Sequence, residues 1–266
     1  MSMLTKLNHI LEIYRKAPSN YKTNAEHLSS LATLFPYIYH TALVKKYLKD
    51  TSSKILDWGA YLGQVTYLLQ DQFTVNSYNP SSPQEVLYWQ KNLGIKLVSE
   101  DKGYKDQQLN FPKESFEAVI SSGVLEHSFE HGVDDVTALR NLNSVLKPNG
   151  LLFIWNLPTK NALAEKVAEK RKKWRHILRY ELDEILVKLS LAGFNVVSIE
   201  RQELIFNQLA KILKLVPLPW IWSFDHFLCN LPLLNNFAHH YTIVAKKIEN
   251  FPVVPATSSY TAYPKS

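Results

Sequence analysis

A glycine-bearing turn between an apolar strand and a helix is the first stretch of this chain that could do chemistry. Ile55 to Gly63 reads ILDWGAYLG, and Gln64 to Leu69 continues it with helical spacing. A turn of this kind brings backbone N–H groups at a helix N-terminus close to a ligand, and its glycines leave room for that approach. The pattern indicates a site for a nucleotide-type ligand, although two glycines four residues apart also occur where a chain only turns tightly.

A second chemical feature is a local concentration of positive charge. The formal net charge of the chain is +6, and the segment from Lys160 to Arg179 alone holds eight basic and two acidic residues. We expect a helix from Ala162 to Trp174 within this segment. Two interpretations remain open: it is a solvated helix face, or it binds an anionic substrate, lipid headgroups or nucleic acid.

Composition excludes some classes of site and of protein. The 266 residues contain one cysteine, Cys229, so neither an intramolecular disulfide nor a cysteine-based zinc site can form, and no metal site is predicted. Met1 to Asn20 carries no continuous apolar run of the kind that marks a signal peptide. No segment reaches the roughly 18 uninterrupted apolar residues of a spanning helix. The sequence thus predicts a soluble, cytoplasmic protein.

Short apolar segments that alternate with helical patterns must position these features. We predict strands at residues 54–58, 73–79, 95–98, 116–121, 151–155, 195–199 and 240–245. A representative helix between them runs from Pro83 to Leu93, with proline in its first turn and Gly94 just past its end. Such alternation predicts an α/β protein with a doubly wound, largely parallel sheet, whose ligands bind beyond the carboxyl ends of the strands.

Helical segments flank the predicted sheet. Residues 1–50 are predicted to form an N-terminal helical preface, with helices over 24–35 and 37–48 between which Pro36 breaks or kinks the run. Residues 51–250 form the main domain, and the Pro-, Ser- and Thr-rich residues 251–266 a disordered tail. Residues 202–239 form an apolar insertion before the last strand. This insertion is a helical flap on the sheet edge or over the active site, or its aromatic residues form an interfacial or acceptor-binding surface.

Three stretches in chain order resemble class I S-adenosylmethionine-dependent methyltransferases of the small-molecule type. Ile55 to Gly63 is similar to the cofactor glycine loop, Phe111 to His127 to the motif at the fourth strand, and Leu146 to Leu152 to the turn before the fifth strand. The resemblance covers about residues 53 to 247. It implies a Rossmann-like, seven-stranded sheet with an antiparallel last strand, and S-adenosylmethionine bound over the first, second and fourth strands.

The resemblance also implies a set of cofactor-binding residues. They are Asp57, Gly59, Ala60, Tyr61, Gly63, Asn79, Asp101, Ser121 and Ser122. Tyr61 stands where the family has its middle glycine, so its side chain must point away from the ligand or occupy part of the ligand's site. Asn79 replaces the family's Asp or Glu and offers a single accepting oxygen to the ribose hydroxyls. Glu100 or Asp101 falls where the family often has an acidic residue near the adenine. The alternative is that both are solvated charges in a loop.

His127 is the candidate general base, because a histidine can accept a proton near neutral pH. Its neighbour Glu126 either orients His127 or caps the following helix. The alternative is that His127 shapes the pocket without taking part in chemistry. His131 and His176 are further candidates for contact with the acceptor, although a surface position is the better expectation for each.

Methyl transfer requires that an acceptor atom be held in line with the methyl group at near-attack distance. We expect transfer from S-adenosylmethionine to a small or medium-sized acceptor, such as a sugar, a lipid-linked intermediate or a secondary metabolite. Nucleic acid is disfavoured, because the Asn/Asp-Pro-Pro-aromatic tetrapeptide of relatives that methylate base amines is absent after the fourth strand. Peripheral contact with an anionic membrane and the oligomeric state stay open. The alternative function is a catalytically degenerate methyltransferase fold that binds or regulates a partner.

Overall fold

One mixed sheet organises the chain. The structure is a computed structural model and describes residues 1–23, 25–79, 83–99, 109–171 and 176–249. The strands are β1 (Lys54–Trp58), β2 (Thr74–Asn79), β3 (Leu97–Ser99), β4 (Phe116–Ser122), β5 (Leu146–Pro158), β6 (Phe194–Gln202) and β7 (His240–Lys247). The helices are α1 (Met3–Lys16), α2 (Leu31–Tyr47), α3 (Gln64–Leu69), α4 (Gln84–Leu93), α5 (Asp135–Val145), α6 (Leu163–Lys170), α7 (Leu182–Leu191), α8 (Phe206–Ile212) and α9 (Leu218–Cys229).

The strand order brings the ends of distant segments to one edge of the sheet. The seven strands lie in the order β3-β2-β1-β4-β5-β7-β6. The first five pair in parallel, whereas β7 runs antiparallel to β5 and to β6. His240 at the start of β7 lies opposite both Pro158 and Gln202, which end β5 and β6. The predicted α/β class with an antiparallel last strand is confirmed, and we call this edge the C-terminal edge.

Helices cover both faces of the sheet, which explains why its central strands are apolar at consecutive positions. Ile55 and Leu56 are both fully buried but belong to different hydrophobic cores. The core that contains Ile55 includes residues of α1, α2, α3 and α4, and the core that contains Leu56 includes residues of α5 and α7. Successive side chains of a strand point to opposite faces, so both faces must be apolar when both are covered.

The N-terminal preface departs from its prediction at Pro36. The predicted break is wrong, because α2 runs without interruption from Leu31 to Tyr47 with Pro36 inside it. The helix begins at a capping box formed by Ser30 and Thr33, and Glu26–Leu28 is a separate short 3-10 helix. Proline costs a helix interior one backbone hydrogen bond and a steric clash. Burial of one side of α2, Pro36 included, outweighs that cost.

The turn that the resemblance implied at Leu146 to Leu152, before the fifth strand, lies inside that strand. The preceding helix does end at Val145, but β5 begins at once at Leu146. Residues 147–150 form an irregularity inside this strand, since β4 pairs Phe116 with Leu146 and then Ala118 with Leu151. Asn149 takes a left-handed φ of +61° there, which asparagine tolerates better than most residues. Proline and asparagine thus mark a bulge rather than the end of pairing.

The chain between β6 and β7 forms two helices that pack on the N-terminal preface. Helix α8 and helix α9 bury Phe206 and Trp222 against Phe35 and Tyr39 of α2. A short 3-10 helix, Asn235–Phe237, leads from there into β7. The basic helix is shorter than predicted, since α6 ends at Lys170. Residues 172–175 and the predicted tail at 251–266 lie outside the described residues.

The described helices include none with the length and apolar character that a transmembrane span requires.

Candidate functional site

The glycine loop is held by a buried carboxylate at the end of β1. Asp57 is buried, and its Oδ2 accepts hydrogen bonds from the backbone N–H of Thr66 at 3.1 Å and from the Thr66 hydroxyl at 2.7 Å. Thr66 Oγ1 lies 2.6 Å from Ser77 Oγ of β2. Burial raises the pKa of Asp57 to about 6, and the bonds from Thr66 oppose that rise. Asp57 therefore ties β1, α3 and β2 together beneath the loop.

Gly59 and Gly63 lie where a side chain would have no room. Both take left-handed backbone conformations, with φ of +72° and +87°. A Cβ on Gly59 would lie 2.5 Å from a methyl carbon of Val124, which follows β4, and a Cβ on Gly63 would lie 1.8 Å from Ile95 Cδ1. The backbone N–H groups of Gly59 and Ala60 both donate to Tyr78 O at 2.9 Å. The loop is thus packed between the end of β2 and the chain that leaves β4.

Tyr61 keeps the backbone conformation of the glycine that it replaces. Its φ is +42°, a region that non-glycine residues seldom occupy. Its hydroxyl donates to Glu85 Oε1 at 3.3 Å, and its carbonyl accepts from Gln90 Nε2 at 3.4 Å, both on α4. The ring packs on the core that α4 shares with α3. The Tyr61 side chain is therefore directed along the α4 flank of the loop.

The other predicted cofactor residues lie at the ends of neighbouring strands. Asn79 ends β2 and is buried, and Ser121 and Ser122 end β4 beside β1. The hydroxyl of Ser121 is buried and has no hydrogen-bond partner among the described residues, whereas Ser122 Oγ accepts from Asn156 Nδ2 at 3.3 Å. Residues 100 and 101 lie outside the described part of the chain.

Tyr37 of α2 completes this part of the site and was missed by the sequence analysis. Its hydroxyl accepts a hydrogen bond from Gln64 Nε2, in the residue directly after the glycine loop, at 3.3 Å, and the Ser122 side chain lies near enough to act on its pKa. Burial raises the pKa of Tyr37 to about 12. The N-terminal preface therefore bridges the two loops that follow β1 and β4. In the sequence, the one signal for this role of Tyr37 is that a side chain with a hydroxyl falls on the buried face of a predicted helix.

His127 pairs with Glu130 rather than with its neighbour Glu126. His127 Nδ1 lies 2.9 Å from Glu130 Oε1, while both carboxylate oxygens of Glu126 are buried without a hydrogen-bond partner among the described residues. Both residues lie in a 3-10 helix, Leu125–His131, in which side chains three positions apart align and adjacent ones diverge. Glu126 instead points toward His176, with Oε1 and Nε2 4.0 Å apart.

Histidines and glutamates from four segments meet at the C-terminal edge. We call them the His–Glu cluster: Glu126, His127, Glu165, His176, Glu203, His239 and His240. Glu165 Oε1 lies 2.7 Å from His176 Nδ1 and 3.2 Å from His239 Nε2. The rings of His239 and His240 stack with centroids 3.8 Å apart. His176, expected at the surface, lies at the centre of the cluster. The cluster residues are far apart in the sequence, and the tertiary fold brings them together.

Burial dominates the electrostatics of the cluster. It raises the pKa of Glu126 and that of Glu203, and it lowers the pKa of His239 and brings that of His240 to about 3. Burial also acts to raise the pKa of Glu165, but hydrogen bonds from His176 and His239 outweigh it and hold that pKa well below its usual range. Glu203 takes a left-handed φ of +61°, a strained conformation of the kind that gathers at functional sites.

The residues at the loop fit a nucleotide-type cofactor. Positive φ values at residues 59, 61 and 63 fold the loop tightly, and glycines at the first and last of these positions let other groups approach the backbone. The hydroxyl of Ser121, at the end of β4, is buried and has no hydrogen-bond partner among the described residues. An orphaned polar group of this kind is accounted for when a ligand supplies its partner.

Comparison with known proteins places the chain among methyltransferases. The model of a methyltransferase domain matches residues 32–199, well over half of the chain. The Burkholderia thailandensis 1,6-didemethyltoxoflavin-N1-methyltransferase, solved with 1,6-didemethyltoxoflavin and S-adenosylhomocysteine, is 16% identical with a TM-score of 0.53, over 94% of this chain and 92% of that one. A comparison with curated proteins gives no significant match.

Two further solved structures share the fold. A S-adenosylmethionine-dependent methyltransferase of Thermotoga maritima is 14% identical with a TM-score of 0.54, over 90% of this chain and 99% of that one. Another, from Archaeoglobus fulgidus, is 17% identical with a TM-score of 0.51, over 79% of this chain and 94% of that one. At these identities the likeness shows the fold, and the family match shows the membership. The chain therefore belongs to the methyltransferase-domain family and, as its sequence predicted, is a S-adenosylmethionine-dependent methyltransferase.

Proposed function

We propose that this methyltransferase acts on a small or medium-sized acceptor, bound at the C-terminal edge between the glycine loop and the His–Glu cluster. One observation carries the proposal: the chain that leaves β4 joins the two. Val124 packs against Gly59 of the loop, and two residues later Glu126 points into the cluster. An acceptor held there would lie beside the cofactor and beside groups that exchange protons.

The chain's own residues would then have three tasks in the reaction. When bound, S-adenosylmethionine supplies an activated methyl group. Asp57, Gly59, Ala60, Tyr61, Gly63, Asn79, Ser121 and Ser122 are proposed to position the cofactor, and alignment is the main requirement of methyl transfer. His127 is proposed to accept the proton that an acceptor hydroxyl or amine loses, with Glu130, not Glu126, fixing its ring. Glu126 is proposed to stabilise positive charge that develops near His176.

The insertion supports a second proposal, that the protein docks on an anionic membrane surface. Helix α9 buries Ile221, Trp222 and Cys229, yet exposes a second apolar stripe formed by Trp220, Phe224 and Phe227. Leu215, in the link between α8 and α9, is fully exposed, and Lys211 and Lys214 lie beside it in sequence and are exposed. Exposed aromatic residues next to lysines suit the interface of an anionic bilayer, and lipid-linked acceptors would be met there.

The cofactor part of the proposal is tested with a matched pair of glycine variants. Gly59→Ala is expected to lose measurable binding of S-adenosylmethionine and S-adenosylhomocysteine in isothermal titration, because its Cβ meets Val124 at 2.5 Å. Gly94→Ala is the control: its φ of +64° is similarly left-handed, but nothing lies within 4 Å of its Cβ. Gly94→Ala should bind both ligands as the wild type does.

Two outcomes would contradict this assignment. The first is a wild-type protein that binds neither ligand at millimolar concentration, and the second is equal affinity for the two variants. Because Gly59→Ala could be poorly folded, circular dichroism is recorded, and Val124→Ala is combined with it to restore space. A folded double variant is expected to regain binding, because the clash with the Val124 side chain is relieved.

A further inference from the structure

Three glutamates of the His–Glu cluster are buried without a lysine or arginine. Glu126, Glu165 and Glu203 have side-chain exposures of 2%, 4% and 9%, and within the described ranges their only ion-pair partners are histidines. A buried carboxylate is costly unless it is paired or coordinates a metal. Protonation of the carboxylates or of the histidines, or a cation bound among these side chains, would reduce that cost.

The donor atoms of three cluster members converge as a metal site requires. Glu165 Oε1 lies 2.7 Å from His176 Nδ1 and 3.2 Å from His239 Nε2, and the three atoms are within 4.8 Å of one another. Ligands on a tetrahedral zinc ion are about 3.3 Å apart, given bond lengths near 2.05 Å. The separation of Glu165 Oε1 and His176 Nδ1 would have to lengthen by about 0.6 Å, whereas that of Glu165 Oε1 and His239 Nε2 is already close to the required spacing.

A second observation that points to a bound cation is the environment of Glu126, which lies on the Nε2 side of the His176 ring. Both oxygens of Glu126 are buried and accept no hydrogen bond from any described residue, and Oε1 lies 4.0 Å from His176 Nε2. This orphaned charge faces the same ring that Glu165 contacts through its other nitrogen. A cation bound by His176 would reduce the cost of burying Glu126.

We propose that Glu165, His176 and His239 bind one divalent transition-metal ion of the zinc type. Two imidazole nitrogens and one carboxylate oxygen suit zinc or its first-row neighbours, whereas Mg²⁺ and Ca²⁺ prefer oxygen ligands alone. The sequence predicted no metal site because it weighed cysteine ligands, and these residues are 11 and 63 positions apart along the chain. Only the fold assembles them.

The metal site also restricts which functional groups the methyl acceptor can carry. This inference rests on the proposed function. Three protein ligands leave a fourth position on a tetrahedral metal, and the side chains of His176 and His239 are 15% and 21% exposed. That position would hold an acceptor oxygen or nitrogen at the C-terminal edge. We infer an acceptor with a hydroxyl, carboxylate or amine beside the methylated atom.

Metal binding is tested on the full chain after treatment with a chelator and dialysis. Isothermal titration with Zn²⁺ should show one site, and Mg²⁺ at the same concentration should give no signal. Glu165→Gln, which keeps the volume and one accepting oxygen, and His239→Ala should each weaken Zn²⁺ binding at least tenfold. His9→Ala is the matched control, since His9 lies in α1 against Tyr67, outside the cluster.

Zinc binding by the wild type that Glu165→Gln and His239→Ala both weaken, and His9→Ala does not, supports the site. No binding by the wild type, or equal binding by all variants, overturns it. If Glu165→Gln does not fold, the test rests on Zn²⁺ binding by His239→Gln, because His239 is partly exposed and its substitution disturbs the core less. Binding of S-adenosylmethionine is measured separately in the presence of a chelator. If the protein binds S-adenosylmethionine but not Zn²⁺, the metal proposal alone fails; if it does not bind S-adenosylmethionine, the proposed function fails.

Discussion

At the scale of single residues, the carboxylate of Asp57 holds the glycine loop in place through hydrogen bonds, but its burial disfavours the charged form. Its two hydrogen bonds from Thr66 join three elements, but burial still raises its pKa from 3.8 to about 6. A group with a raised pKa in the folded state binds its proton more tightly there than in the unfolded chain. It stabilises the fold most below pH 3.8, and this contribution is lost as the pH rises through about 6.

The prediction concerns the difference between wild type and Asp57→Asn. In the absence of cofactor, the free energy of unfolding of the wild type should fall relative to that of Asp57→Asn between pH 4 and 6.5, by up to about 3 kcal/mol. Above pH 7 the difference should be constant. Urea unfolding at several pH values measures it, and a difference that does not change with pH would show that Asp57 is not penalised by burial.

At the scale of elements, α2 reaches across the C-terminal edge and contacts both loops of the cofactor site. Tyr37→Phe removes the hydroxyl that accepts a hydrogen bond from Gln64 and lies near Ser122. We expect S-adenosylmethionine affinity to fall several-fold, in line with about 1 kcal/mol for one hydrogen bond. Tyr39→Phe is the control on the same helix, because its hydroxyl donates to Glu200 of β6. Equal loss of affinity in the two variants, by titration, would remove Tyr37 from the site.

The elements also show what the sequence could and could not predict. The pattern around Ile55 and Leu56 identified β1, because a strand buried on both faces is apolar at consecutive positions. The continuation of α2 through Pro36 was not predictable, since it depends on burial against distant residues. The pairing of His127 with Glu130 required the local 3-10 geometry. Glu165, His176 and His239 carry no shared spacing, so their meeting follows only from the strand order.

At the scale of the whole molecule, the insertion gives the protein an apolar outer surface above the C-terminal edge. The wild type is expected to float with vesicles that contain anionic lipid at low salt, and less at high salt, because Lys211 and Lys214 add an electrostatic contribution. The double variant Trp220→Ser and Phe227→Ser should not float. Leu87→Ser, which removes an exposed leucine from α4, should float as the wild type does. A wild type that stays in the bottom fraction would refute the membrane proposal.

The antiparallel placement of β7 between β5 and β6 fixes the order in which the site can be completed during synthesis. The glycine loop and the strand ends beside it are encoded before residue 123, and β4 pairs with β1 in this part of the sheet. His239 and His240 emerge more than a hundred residues later and enter the site only when β7 inserts beside β5. A nascent chain therefore contains every residue of the glycine loop before it contains the β7 histidines, and the His–Glu cluster is complete only after β7 has been synthesised.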